Sequence, residues 1–279
     1  MEDEMMMRGE QLRLLKELLM AEEEVLEDEE CDEIIDYEIM DDGRRILRYD
    51  SYLEHQRYYD DLKHVDCAFI DYGGGLVVEQ DKALGKGGLC WDAAFILAEH
   101  VSSTEEELLQ SKRVLELGAG TGLCGLLVAS LVQCHVDITD LPALLPLMQR
   151  NQQLNFGGDS SLLTDHTPAP LGTAAASILT WGSPAEYPPE PYDVILGADV
   201  VASLYDPIAL AETMWDLSHA QSVVYISYKG RLTEPHEKFE ERLRQLFDTV
   251  ERLKPWSRNN NPHVLVLKAT ERRDTKVSG

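Results

Sequence analysis

The stretch Val114-Leu115-Glu116-Leu117-Gly118-Ala119-Gly120-Thr121-Gly122 constrains this chain more than any other. An apolar run of strand length passes into three glycines at alternate positions and then into an apolar run of helical length. Glycine is demanded where a chain turns tightly and lets a ligand approach its backbone. A strand, a glycine turn and a helix in that order belong to open α/β sheets, whose ligands sit beyond the carboxyl ends of the strands. Two ligand chemistries compete for such a turn. A dinucleotide site has GxGxxG, with the pyrophosphate on the helix N-terminus; here Gly118, Gly120 and Gly122 give GxGxG, and Leu123 stands where that pattern has Gly. A phosphate-free cofactor with an amino-acid end would instead use Glu116 to orient its ammonium, directly or through water.

The sequence around the turn predicts strands at 114–117, 136–139, 177–180, 192–196, 223–228 and 263–269. Helices are expected over 122–132, 141–155, 206–219 and 234–247, with a Gly-, Ser-, Thr- and Pro-rich loop at 157–175. Alternating strands and helices imply an α/β fold with a Rossmann-like, mostly parallel sheet and helices on both faces. The last two strands are separated only by a short loop around 256–262, so they can pair antiparallel. Upstream, two β-rich runs, 64–72 and 76–80, flank Gly73-Gly74-Gly75 and read as a hairpin. Residues 85–89 read as a loop, and Trp91 opens a helix to Val101. Leu12, Leu15, Leu18 and Leu19 recur at helical spacing, which predicts an amphipathic helix over 9–26. An acidic block at 22–30 follows it, either a solvated tail or a docking segment for a basic partner. The expected organisation is an acidic extension (1–60), a main domain with its hairpin (61–272) and a short tail (273–279).

Charge narrows the partners. The 279 residues carry 51 acidic and 25 basic side chains, a formal net charge of −26. Duplex nucleic acid needs Lys and Arg against its phosphates and is a poor match; a basic protein segment is a better one. The excess also serves solubility alone. Five cysteines without a CxxC suggest neither a disulfide framework nor a zinc site, so no metal is expected. No apolar run approaches the length of a membrane span, and the acidic N-terminus is unlike a signal peptide. A cytoplasmic monomer is expected, with the nucleus as a second compartment.

Further segments sit in order along the predicted sheet: Leu89-Cys90-Trp91-Asp92-Ala93-Ala94, Ile138-Thr139-Asp140, Leu179-Thr180-Trp181-Gly182 and Ile195-Leu196-Gly197-Ala198-Asp199. Glu-x-Gly-x-Gly-x-Gly resembles motif I of the seven-strand methyltransferases. Together the segments resemble the methyltransferase-like 21 type of protein-lysine methyltransferase over about 65–270. That resemblance implies S-adenosyl-L-methionine as cofactor and a protein substrate such as a chaperone, an ATPase or a translation factor. It places Trp91 on the methionine end of the cofactor and Trp181 beside the adenine, where an indole offers an apolar face and one N–H. Core filling is the alternative for both. Glu116, Gly118, Ala119, Gly120 and Gly122 form the turn, and Ala198 lines the pocket through its backbone. Asp140 would accept hydrogen bonds from both ribose hydroxyls, or else cap the following helix. Asp199 matches the acid of the family's D-x-x-Y motif and would orient the amine or take its proton through water; a helix cap is its alternative. The motif tyrosine is missing, since Ala202 occupies its place. Tyr205, three residues on, can put a ring in the same space to bind substrate, or be a plain surface tyrosine. Methylation of a small amine or another side chain, or cofactor binding without catalysis, are the competing functions.

Overall fold

The computed structural model describes residues 37–39, 45–49, 67–72, 76–157, 169–202, 204–230, 234–259 and 261–276. The expected helix over 9–26 and the acidic block at 22–30 lie outside them. Eleven strands among the described residues form two sheets. The smaller joins β1 (Tyr37–Ile39), β2 (Arg45–Arg48), β3 (Cys67–Asp71) and β4 (Val77–Asp81), with β3 and β4 antiparallel as the hairpin reading expects. The larger is the α/β sheet. Its strands are β5 (Arg113–Leu117), β6 (His135–Asp140), β7 (Thr173–Ile178), β8 (Tyr192–Ala198), β9 (Ser218–Lys229), β10 (Phe247–Leu253) and β11 (Val264–Arg272), in the spatial order 10-11-9-8-5-6-7. The strands from β9 to β7 are parallel; β11 runs antiparallel to β9 and β10 antiparallel to β11.

The helices are α1 (Asp92–Thr104), α2 (Glu106–Leu109), α3 (Leu123–Leu131), α4 (Leu145–Phe156), α5 (Pro207–Asp216) and α6 (Glu234–Leu246). Helix α3, LCGLLVASL, is apolar on every side, as a helix must be when it is enclosed rather than amphipathic. It presses hard on the sheet: a methyl group at Gly125 would lie 2.5 Å from Ile138 Cγ2 and 2.7 Å from Glu116 Oε2. Only glycine fits there. Helix α5 begins where Asp206 Oδ1 accepts the amides of Ile208 and Ala209, with Pro207 supplying the preset first turn. Among the described residues no helix is long and apolar enough to cross a membrane.

Three elements depart from the sequence reading. The strand expected at 177–180 begins earlier, at Thr173 within the expected loop, and ends at Ile178. Its residues, TAAASI, are small and weakly β-forming, and it is the edge strand, so pairing with β6 rather than propensity decides it. The helix expected from 141 starts at Leu145, because residues 141–144 turn first, with Leu144 N–H donating to the Leu141 carbonyl. The penultimate strand is Phe247–Leu253, whose outward Asp248, Glu251 and Arg252 hide its alternation.

The small sheet is fastened to the large one by two asparagines one turn apart on α4. Asn155 Oδ1 accepts from Val77 N–H at 3.0 Å and its Nδ2 donates to the Val77 carbonyl at 2.7 Å. Asn151 does the same at Glu79, at 2.7 and 2.9 Å, and also donates to the Thr121 carbonyl at 2.8 Å. Each carboxamide thus stands in for a strand residue on the free edge of β4. Both side chains are buried, so an apolar replacement strands backbone groups away from water. Asn151→Leu should cost about 3 kcal/mol or more, since the Glu79 N–H, the Glu79 carbonyl and the Thr121 carbonyl all lose this partner. Urea denaturation measures the loss, and hydrogen exchange should quicken first at the Glu79 amide, which loses its acceptor.

Candidate active site

The glycine turn sits at the carboxyl edge of β5, and Gly118, Gly120 and Gly122 have φ of 67°, 56° and 83°. That is the left-handed region, costly for residues with a Cβ. Its amides are already engaged. Ala119 N–H donates to the Thr139 carbonyl, Gly122 N–H to the Ala119 carbonyl, and Gly120 N–H to Asp140 Oδ2 at 2.7 Å. Gly125 N–H, in the first turn of α3, donates to Glu116 Oε2 at 2.8 Å. Two of the amides that a phosphate would need are therefore occupied by acidic side chains and have no N–H left to offer a pyrophosphate. The same carboxylates suit hydroxyl donors and an ammonium group. The occupied amides argue against a pyrophosphate, and the residues present fit S-adenosylmethionine.

Asp140 Oδ1 also accepts from Leu141 N–H at 2.7 Å. The carboxylate caps no helix, since α4 starts five residues later. It keeps lone pairs for outside donors, because an ionised carboxylate can accept about four hydrogen bonds. Burial raises its pKa, against the pull of the Gly120 and Leu141 amides. Glu116 is fully enclosed, and burial pushes it up to about 8; the Gly125 amide works against the shift and Asp140 adds to it. In this structure Glu116 caps α3 from the adjoining strand.

Around the turn, Trp181 and Val200 close on Gly118: a methyl group there would lie 3.0 Å from Trp181 Cζ2 and 2.7 Å from Val200 Cγ1. Trp181 is half-buried and meets Tyr205 edge-on, ring centroids 5.7 Å apart. On the other side the 3-10 segment Lys82–Gly88 comes down on the turn, so that a methyl group at Gly120 would lie 2.7 Å from the Gly87 carbonyl oxygen. Trp91 is held to that segment by its indole N–H, which donates to the Lys86 carbonyl at 3.0 Å. Ala198 ends β8 beside Ser227 of β9. Asp199 follows with φ 55°, its N–H donating to the Ser227 carbonyl at 2.8 Å. Asp206, not Asp199, caps the next helix. Tyr205 lies at the mouth, with its N–H donating to the Ala202 carbonyl. Burial raises its hydroxyl pKa, and Asp140 and Asp199 both add to the rise.

The sequence reading missed a group beside Asp199. Ser227 Oγ donates to the Ala93 carbonyl at 2.8 Å, which brings the start of α1 against β9. Asp92, buried at that helix start, is pushed up to about 7 by burial, with Lys229 opposing and Asp199 adding to the rise. Asp92 stood inside a quoted motif, but only the packing of α1 shows which strand end it joins. Gly87 and Lys86 were inside an expected loop with no local sign of their contact to the turn.

Comparison with known proteins agrees with this geometry. A family model described as lysine methyltransferase matches residues 72–246. The protein N-lysine methyltransferase METTL21A of Danio rerio is 38% identical over 174 residues, 61% of this chain and 72% of its own length. Its Xenopus tropicalis counterpart is 32% identical over 220 residues, covering 78% of this chain and 93% of that protein. EEF1A lysine methyltransferase 3 of Xenopus tropicalis is 36% identical over 149 residues, 53% of this chain and 60% of its own. Among solved structures, the Thermus thermophilus 16S rRNA N2 G1207 methyltransferase RsmC shares the fold with a TM-score of 0.50 at 16% identity, over 71% of this chain and 47% of that one. The glycine turn, its two carboxylates and these matches converge: the chain belongs to the lysine methyltransferase family, whose methyl donor is S-adenosylmethionine.

Proposed function

We propose that the carboxyl edge of the seven-stranded sheet methylates a lysine ε-amine of a protein substrate, with Asp199 as the acid at the reacting amine. The observation that carries this reading is the engagement of the turn by Asp140 and Glu116, which prepares the cleft for a cationic, hydroxyl-bearing cofactor. When bound, S-adenosylmethionine supplies an electrophilic methyl group on a positively charged sulfur. In our reading Asp140 receives the ribose hydroxyls, Glu116 faces the ammonium end, Trp91 covers the methionine part and Trp181 the adenine. Gly118 to Gly122 and Ala198 line the floor.

Asp199 then holds the lysine nitrogen in line with the leaving sulfur, and positioning supplies most of the rate. A free lysine has a pKa near 10.4 and arrives charged. Burial among Trp181 and Tyr205 favours its neutral form, and Asp199 accepts the N–H that aims the lone pair. Tyr205 takes the room left by Ala202. We place the substrate among chaperones, ATPases and translation factors; EEF1A is the target in one relative's name. We further assign catalysis to residues 61–272, with β1 and β2 completing the small sheet from the segment before them, and take the enzyme to act as a monomer in the cytoplasm.

Asp199→Asn should lower kcat by about 100-fold or more, the scale of a lost proton acceptor, with cofactor affinity kept; normal turnover on a labelled protein extract would exclude an essential carboxylate. Asp140→Ala should weaken S-adenosylhomocysteine binding by about 10- to 100-fold, the worth of one or two hydrogen bonds to a charged group. Calorimetry reads it, and unchanged affinity removes the ribose assignment.

Glu116 sets a pH signature. The fold keeps its proton up to about 8, whereas the unfolded chain releases it near 4.5. The folded state binds the extra proton between those values, so ligand-free stability falls as pH rises through that window. Asp92 adds the same slope up to about 7. The Tm of the ligand-free protein should therefore drop from pH 5 to pH 8, and drop less in Glu116→Gln. An ammonium brought to Glu116 favours its ionised form, so binding at pH 7 should release a proton, seen as a heat that depends on the buffer's ionisation enthalpy.

A further inference from the structure

Three large apolar side chains stand exposed within five residues at the mouth of the cleft: Leu204 at 67%, Tyr205 at 39% and Ile208 at 38%. They occupy the passage from β8 into the first turn of α5. The core does not require them, because α5 turns Leu210, Ala211 and Met214 inward. Nor is the segment loose. Tyr205 N–H is bonded to the Ala202 carbonyl, Asp206 pins the amides of Ile208 and Ala209, and the Tyr205 ring rests on Trp181. This backbone, held from Tyr205 to Ala209, presents apolar groups to water next to Trp181 and so at the edge of the glycine turn. Clustered exposed apolar groups of this kind mark contact surfaces.

The surroundings choose the occupant. The patch is continuous with the proposed acceptor site through Tyr205, whose ring meets Trp181, the residue that closes on Gly118. Asp199 and Asp206 stand next to these residues along the chain, so a segment approaching this mouth gains from positive charge and loses from negative. Ala202, small and half-buried, accepts the Tyr205 N–H at the head of the same turn.

We propose that Leu204, Tyr205 and Ile208 form a rim that receives an apolar side chain flanking the acceptor lysine, and so select basic substrate segments in which the lysine has an apolar neighbour. The inference rests on the lysine-transfer reading and adds the substrate class to it. The rim acts in binding; it makes no contact with the cofactor assigned here.

Two fluorescein-labelled peptide pools test it, both with a central lysine and basic outer positions. One pool has Leu, Ile, Phe or Met beside the lysine; the other has Ser, Thr, Asn or Gln. Each is titrated by fluorescence polarisation against the full chain saturated with S-adenosylhomocysteine, and each is assayed for tritium from labelled S-adenosylmethionine. The apolar pool should bind and label at least ten times better. Leu204→Ser with Ile208→Ser should bring it down to the polar pool's level while leaving S-adenosylhomocysteine affinity unchanged. Equal binding of the two pools by the unaltered chain, or a preference that survives the double substitution, overturns the rim. Failure of the lysine reading looks different: neither pool is labelled, and exchanging the central lysine for glutamine leaves the apolar pool's binding unchanged, while the preference between pools still reports on the rim.

Discussion

Two carboxylates bound to the backbone of one turn organise this site. A helix N-terminus and a glycine turn ordinarily offer bare N–H groups, which makes them anion sites. Here Asp140 takes the Gly120 amide and Glu116 takes the Gly125 amide. The amides that would hold a phosphate are thereby taken, and Glu116, which keeps its proton up to about 8, can ionise against an incoming cation. The rest follows in sequence. Glycines keep the turn low enough for both acids to reach it, the apolar α3 is drawn onto β5 and β6 behind it, and Trp181 and Tyr205 wall the space in front.

Much of this was readable in the sequence because the turn is local. The strand, the three glycines, Glu116 and the Asp140 one strand later lie in order along the chain, and pairing of β5 with β6 brings them together. The alternatives for Asp140 and Asp199 were not decidable locally. Asp140 was a candidate helix cap only while α4 was expected to begin at 141; its start at Leu145 removes that option. Asp199 lost the same option to Asp206.

What escaped the sequence depends on long-range contact. Strand β7 has little propensity of its own and exists because β6 offers an edge. Asn151 and Asn155 sit one turn apart on a helix, a spacing found on any polar face, and nothing nearby says that they complete a strand some seventy residues upstream. Asp92 joins Asp199 only through the packing of α1 on β9, by way of Ser227 and the Ala93 carbonyl. In each case the chemistry of the residue was visible and its partner was not.

Asn151 links more than two strands. One carboxamide serves Glu79 in the small sheet and the Thr121 carbonyl in the glycine turn. A ligand that steadies the turn must therefore also steady β4, and loosening β4 must weaken that ligand by the same free energy, because linkage is reciprocal. The small sheet is in this sense a remote reporter of cofactor occupancy, and anything that grips or releases it acts on the methyl donor without entering the cleft.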